Sequence, residues 1–259
     1  MHTLSRPYGS WGDTAAEPFE LDADAKRVRR YLESTFIEHG RAPTLAAVAS
    51  ELGLSRAATR QALSLLERGV QVMFVPGTEN IVKVPPFSTL ATRHAVEVDG
   101  SGGWFAGCAA EACAIDALFP GREVAIRSAC PDCWQPIEIV MSDRRVRSLR
   151  PETAVVHWGL HPRHFSRDWL ATCEHINFFV DTAHARAWEA QLEHEPGLIS
   201  SVELTVRSVD NMAAQRHWDY DRGPEIFPPG GGPLIEALAG GGIDVSIWAG
   251  PAAAPDEQG

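Results

Sequence analysis

The sequence has no surplus of positive charge: 23 Lys and Arg stand against 34 Asp and Glu, for a net charge of −11. Affinity for nucleic acid comes largely from neutralised phosphates, so this balance argues against a nucleic-acid partner. No apolar run is long enough to cross a bilayer, so no membrane association is expected. The opening residues, Met1 to Arg6, carry no apolar core of the secretory type, and a cytoplasmic protein is expected. Cysteine is scarce. Five residues, an odd number in a reducing compartment, speak against a disulfide framework. Long-range repeats are absent, and the glycine triplets near the C-terminus lack the strand-before, helix-after setting of a phosphate loop.

What is present reads as an α+β chain in four parts. Residues 1–20 mix Pro, Gly, Ser and charge without period and are expected to form a mobile arm. Residues 21–86 read as a winged-helix-like module. Val28, Tyr31, Leu32 and Ile37 give a first helical stripe. Thr44 and Ser55 are N-caps for a second and a third helix. Residues 70–84 form a hairpin around Pro76–Asn80. Arg56, Arg60 and Arg68 lie on the third helix, where a DNA reader places its base contacts, but the acidic balance favours a packing module. Pro85-Pro86 reads as a linker.

Residues 87–218 read as a domain built on a mixed or antiparallel sheet, with short strands between helices. Strands are expected at His94–Val98, Glu123–Ser128, Pro136–Met141, Ala154–Trp158 and Ile176–Val180. Helices are expected at Ala109–Leu118, Ser166–Leu170, Thr182–Leu192 and within Ser201–Trp218. Trp158, Trp169 and Trp188 are assigned to the core. Residues 219–259 are a Gly- and Pro-rich tail with one apolar segment, Leu234–Leu238.

Two stretches carry candidate chemistry. Cys113 and Asp116 lie one helical turn apart on an Ala-rich helix, which places thiol and carboxylate on one face. Cys173 precedes an apolar run. Should the fold bring Cys173 to that face, two sulfurs and one acid would surround a pocket suited to a soft metal and a proton transfer. A competing reading joins Cys108, Cys113, Cys130 and Cys133 into a tetrathiolate zinc site, or leaves Cys130 and Cys133 alone to hold a metal. His157, His161, His164 and His175 lack the spacing of a helical metal site.

Cys-Ala-Ile-Asp-Ala-Leu-Phe-Pro (Cys113–Pro120), the strand ending in Cys130, and Cys-Glu-His-Ile-Asn-Phe-Phe (Cys173–Phe179) together resemble the organomercurial, or alkylmercury, lyases. The resemblance covers roughly residues 94–218, and the helical N-terminal module is similar to that of the family. It implies cleavage of carbon–mercury bonds by protonolysis, yielding a hydrocarbon and Hg(II). It implies that Cys113 and Cys173 hold mercury while Asp116, also beside the metal, relays the proton, and that Cys130 is structural. No organic cofactor is implied. The implied partners are an organomercurial substrate and, for the product, thiol acceptors or a mercuric-ion reductase. The sequence departs from the pattern at Ala112, where an aromatic is usual, and in the extra stretch Cys108-Ala109-Ala110-Glu111. The alternative is a non-catalytic thiol protein that binds or senses zinc or a soft metal.

Overall fold

The computed structural model describes residues 21–69, 71–75, 77–159, 173–191, 196–209 and 232–248. The N-terminal arm, the helix expected at Ser166–Leu170, Trp169, His161, His164 and most of the tail lie outside the described residues.

Three helices open the chain: α1 (Ala23–His39), α2 (Leu45–Leu52) and α3 (Arg56–Arg68). Each begins where a short polar side chain captures an orphan backbone N–H. Asp22 accepts from Ala25, Thr44 from Ala47 and Ser55 from Ala58. Buried stripes face inward, with Ala25, Val28, Leu32 and Phe36 on α1 and Thr59, Ala62, Leu63 and Leu66 on α3. Strands β1 (Met73–Phe74) and β2 (Ile81–Val84) form the hairpin that follows. At its tip, Glu79 pairs with Arg56 at 3.0 Å and also with Arg60. Two arginines suited to reading DNA are thus engaged within the protein.

The hairpin does not stand apart. Pro85-Pro86 is a tight turn, not a linker, and carries β2 into its antiparallel partner β3 (Phe87–Ser88). From there an eight-stranded antiparallel sheet continues in the order β1-β2-β3-β5-β4-β6-β7-β8. Its remaining members are β4 (Ala95–Val98), β5 (Ser101–Ala106), β6 (Val124–Ala129), β7 (Pro136–Ser142) and β8 (Arg145–Arg150). In β7, alternation sends Ile137, Ile139 and Met141 to the core. Strand β8 escapes a hydrophobicity reading because none of its residues is fully buried. A second sheet has the order β10-β9-β11, from β9 (Val155–Trp158), β10 (Ile176–Phe179) and β11 (Leu198–Ser201).

Short helices fill the space between. Helix α4 (Ala109–Ala114) packs on β5 and β10 and passes into a 3-10 turn at Ile115–Leu118. Helix α5 (Thr182–Glu189) covers β9 and β10. Residues 202–209 are helical, and α6 (Gly232–Gly240) contains the apolar segment expected in the tail. No described helix is long and apolar enough to cross a membrane.

One contact ties the helices to the sheet. The Trp104 indole on β5 donates to the Phe36 carbonyl at 2.6 Å, and the Phe36 ring stacks on Phe87 of β3 at 5.4 Å. Gly102 has φ +93, and any Cβ there would collide with the Trp104 ring, so glycine lets the indole fold back. Phe36→Ala should therefore lower unfolding stability by about 3–5 kcal/mol, read from urea denaturation. A loss below about 1 kcal/mol would show that the helices do not depend on this contact.

Candidate active site

Helix α4 starts at an unusual cap. Cys108, with extended backbone, accepts the Glu111 N–H on its sulfur at 3.4 Å. Glu111 stands at the third position of the helix, counted from that cap. Cysteine and carboxylate thus share one corner, one turn apart. Every residue of α4 is buried, and its alanines allow close approach to β5 and β10.

Cys173, just ahead of β10, reaches that corner. One ligand atom each from Cys108, Glu111 and Cys173 lie within 4.8 Å of one another. A fourth group comes from β2: the Lys83 Nζ donates to the Cys173 sulfur at 2.7 Å and lies 2.6 Å from Glu111 Oε2. Both side chains of this ion pair are enclosed, Lys83 4% exposed and Glu111 11%. Glu111 Oε1 is buried without a hydrogen-bond partner. Gly107 makes room, because a Cβ at that position would overlap Lys83 Nζ and Glu111 Oε2.

The electrostatics divide the two sulfurs. The hydrogen bond from Cys108 holds the Cys173 pKa below that of an ordinary thiol, and the Lys83 ammonium adds to this against the effect of burial. Cys108 goes the other way: burial raises it well above the ordinary value, and the contact with Cys173 and the Glu111 charge add to the rise. Burial alone would lower Lys83, but the negative charges at Cys173 and Glu111 outweigh it, so Lys83 is raised and stays an ammonium. The surroundings thus favour the thiolate at Cys173 and the thiol at Cys108, beside the Lys83–Glu111 ion pair. Nearby His94 bonds Ser128 at 3.0 Å; burial, with help from Arg93, lowers its pKa to about 3 and keeps it neutral.

Of the three expected site residues, only Cys173 lies in this cluster. Cys113 is fully buried on α4, five residues beyond Cys108. At about 100° per residue it projects some 140° away around the helix axis. Asp116 lies on the 3-10 turn and accepts the Arg144 N–H at 2.6 Å, which pins the β7–β8 turn. Burial raises its pKa, opposed by that N–H. The chain carries Cys-x-x-acid twice, five residues apart, and the second copy hid the first. Cys108 and Glu111, taken above as extra sequence, are the thiol and carboxylate that the structure brings beside Cys173.

Lys83 was missed altogether. Its signal was a lysine inside Ile-Val-Lys-Val, a strand buried at every position. Among the described residues, Cys108, Cys113, Cys130 and Cys133 do not gather into one ligand group, and Cys108 lies instead with Glu111 and Cys173. His157, on β9, is fully enclosed and bonds Glu189 at 2.7 Å.

Lys83→Met should move the pH midpoint of Cys173 alkylation, resolved by peptide mass spectrometry, to higher pH, since the cation that favours the thiolate is gone. Gly107→Ala should move it the same way by displacing Lys83 without deleting a charge. An unmoved midpoint in both variants would contradict this electrostatic picture.

Residues 87–213 match the family described as alkylmercury lyase, MerB. The chain is 33% identical over 97 residues to the alkylmercury lyase of Staphylococcus epidermidis (strain ATCC 12228 / FDA PCI 1200). That match covers 38% of this chain and 44% of the relative, so the chain spans less than half the length of that relative. The fold is similar to a solved structure entitled "Crystal structure of the mercury-bound form of MerB2", with a TM-score of 0.63 at 20% identity. That superposition covers 76% of this chain and 93% of the other. Over residues 87–213, just under half of its length, the chain is similar to the alkylmercury lyase family.

Proposed function

We propose that the chain cleaves carbon–mercury bonds of organomercurials by protonolysis, and that Cys108, Glu111 and Cys173 carry the reaction. The observation that supports this most is the convergence of two sulfurs and one carboxylate in a buried corner, within 4.8 Å. Mercury(II) is soft and prefers thiolate over oxygen or nitrogen. The similarity to that family over residues 87–213, and the mercury-bound form of the structurally similar protein, point to the same substrate class.

The reaction starts with the Cys173 thiolate, which displaces the counter-ligand of R–Hg–X and forms the first S–Hg bond. The Cys108 thiol then adds to mercury and gives its proton to Glu111. The proton passes to the organic carbon as the carbon–mercury bond breaks. R–H and X⁻ leave, and mercury(II) remains between two sulfurs. One thiolate and one thiol are consumed, and one proton is delivered, so charge and atoms balance. Lys83 favours the entering thiolate. Once that charge is shared with mercury, the ammonium faces Glu111 alone and holds it in place. The bound product passes to other thiols, free or on a mercuric-ion reductase, in a thiol-reducing compartment such as the cytoplasm.

A sensor with a DNA-binding output finds less support. Arg56 and Arg60 of α3 are both drawn onto Glu79.

Hydrocarbon release from phenylmercury in excess thiol tests the reading. Wild-type protein should release benzene. Cys108→Ser and Cys173→Ser should each abolish release, while Glu111→Gln should retain bound mercury and lose about 10²–10⁴-fold in rate. Cys113→Ser and Asp116→Asn should stay near the wild-type rate. Folded wild-type protein that releases no benzene would end the proposal. Loss confined to Cys113→Ser and Asp116→Asn would return the site to the second Cys-x-x-acid frame.

A further inference from the structure

Besides Cys113, the mechanism above leaves two thiols unused, Cys130 and Cys133. They flank Pro131-Asp132 where β6 ends. The backbone closes this turn firmly: Cys130 donates its N–H to the Gln135 carbonyl at 3.0 Å, and Trp134 donates to the Cys130 carbonyl at 2.9 Å. The closure sets the Cys133 thiol beside Cys130, close enough for each to affect the other's charge. Cys130 is fully buried and Cys133 only partly, so the pair has one inner and one accessible sulfur. Trp134 follows with φ +61 and 70% of its surface exposed, and the Arg93 guanidinium stands over its ring at 5.7 Å.

We infer that Cys130 and Cys133 form a second binding site, separate from the Cys108–Glu111–Cys173 corner, for a soft cation held linearly between two thiolates, and that this cation is inorganic mercury(II). Three features carry the inference. The turn pre-positions both sulfurs, so little chain entropy is lost when they close on an ion. Among the described residues, no third Cys, His, Asp or Glu completes a ligand group around them. Structural zinc needs four protein ligands, whereas mercury(II) is satisfied by two. Cys133 offers the point of entry. Binding of Hg²⁺ by the two thiols forms two S–Hg bonds and releases two protons. Transfer from another bis-thiolate exchanges two S–Hg bonds for two, and the entering thiols give their protons to the leaving ones.

The choice of mercury among soft cations rests on the proposed lyase reading. The site itself does not, so the test uses the inorganic ion and needs no turnover. Full-length protein is treated with excess mercuric chloride, challenged with excess glutathione and desalted, and mercury per chain is counted by elemental mass spectrometry. Wild-type protein should retain two ions and Cys133→Ser one. The Cys108→Ser, Cys173→Ser double variant should retain one, and adding Cys133→Ser to it should leave none. Cys113 is present in all four proteins and serves as the internal control. Removing Cys133 without loss of mercury in either background would overturn the inference, as would a double variant that folds and retains none. Failure to release benzene would bear on the lyase reading alone.

Discussion

A buried ammonium governs the site. Lys83 lies in a strand enclosed at every position, where an unpaired charge costs several kcal/mol. Two anionic partners offset that cost, the Cys173 sulfur and the Glu111 carboxylate. The partners come from the stretch before β10 and from the first turn of α4, far apart in sequence. Lys83 itself comes from the hairpin that follows the N-terminal helices. Chain folding and thiol ionisation are therefore coupled: docking of β2 brings the Lys83 ammonium that helps to lower the Cys173 pKa. The same pair explains Gly107, since any side chain there would occupy the space of the ammonium and carboxylate.

A short helix does the positioning. Cys108 caps α4 by accepting the Glu111 backbone N–H on its sulfur, while Lys83 pairs with the Glu111 carboxylate. The two sulfurs then differ by environment alone, one pushed toward the thiol and one toward the thiolate. That difference suits a reaction that needs one nucleophile ready and one proton in store. Carboxylate and proton-bearing sulfur are adjacent, so no water chain is needed between them.

Much of the scaffold was legible in the residues. The stripe of Val28, Tyr31, Leu32 and Ile37 and the caps Thr44 and Ser55 announced the three helices, and the alternation in β7 announced its buried face. Both are local signals. The α+β class followed from them, as did the family resemblance from Cys173–Phe179 and the strand ending in Cys130. The site was only half legible. Cys173 was found because it stands before an apolar strand. Cys108-x-x-Glu111 and Cys113-x-x-Asp116 satisfy the same spacing, and the packing of α4 against β10 brings the first of them beside Cys173. Nor does spacing reveal that Asp116 is drawn to the Arg144 N–H, a contact made by a turn 28 residues later. Lys83 was hidden for a similar reason, since a single lysine in an apolar strand declares burial only once the strand is seen to be central. Strands β8 and β11 lacked the patterns that announce strands.

The central claim is that mercury is gripped by the sulfurs of Cys108 and Cys173. Anomalous scattering from a crystal of wild-type protein treated with one equivalent of phenylmercury tests it most directly. The account predicts a mercury peak between those two sulfurs, beside Glu111 and Lys83. A peak on Cys113 near Asp116, with none between Cys108 and Cys173, would contradict it.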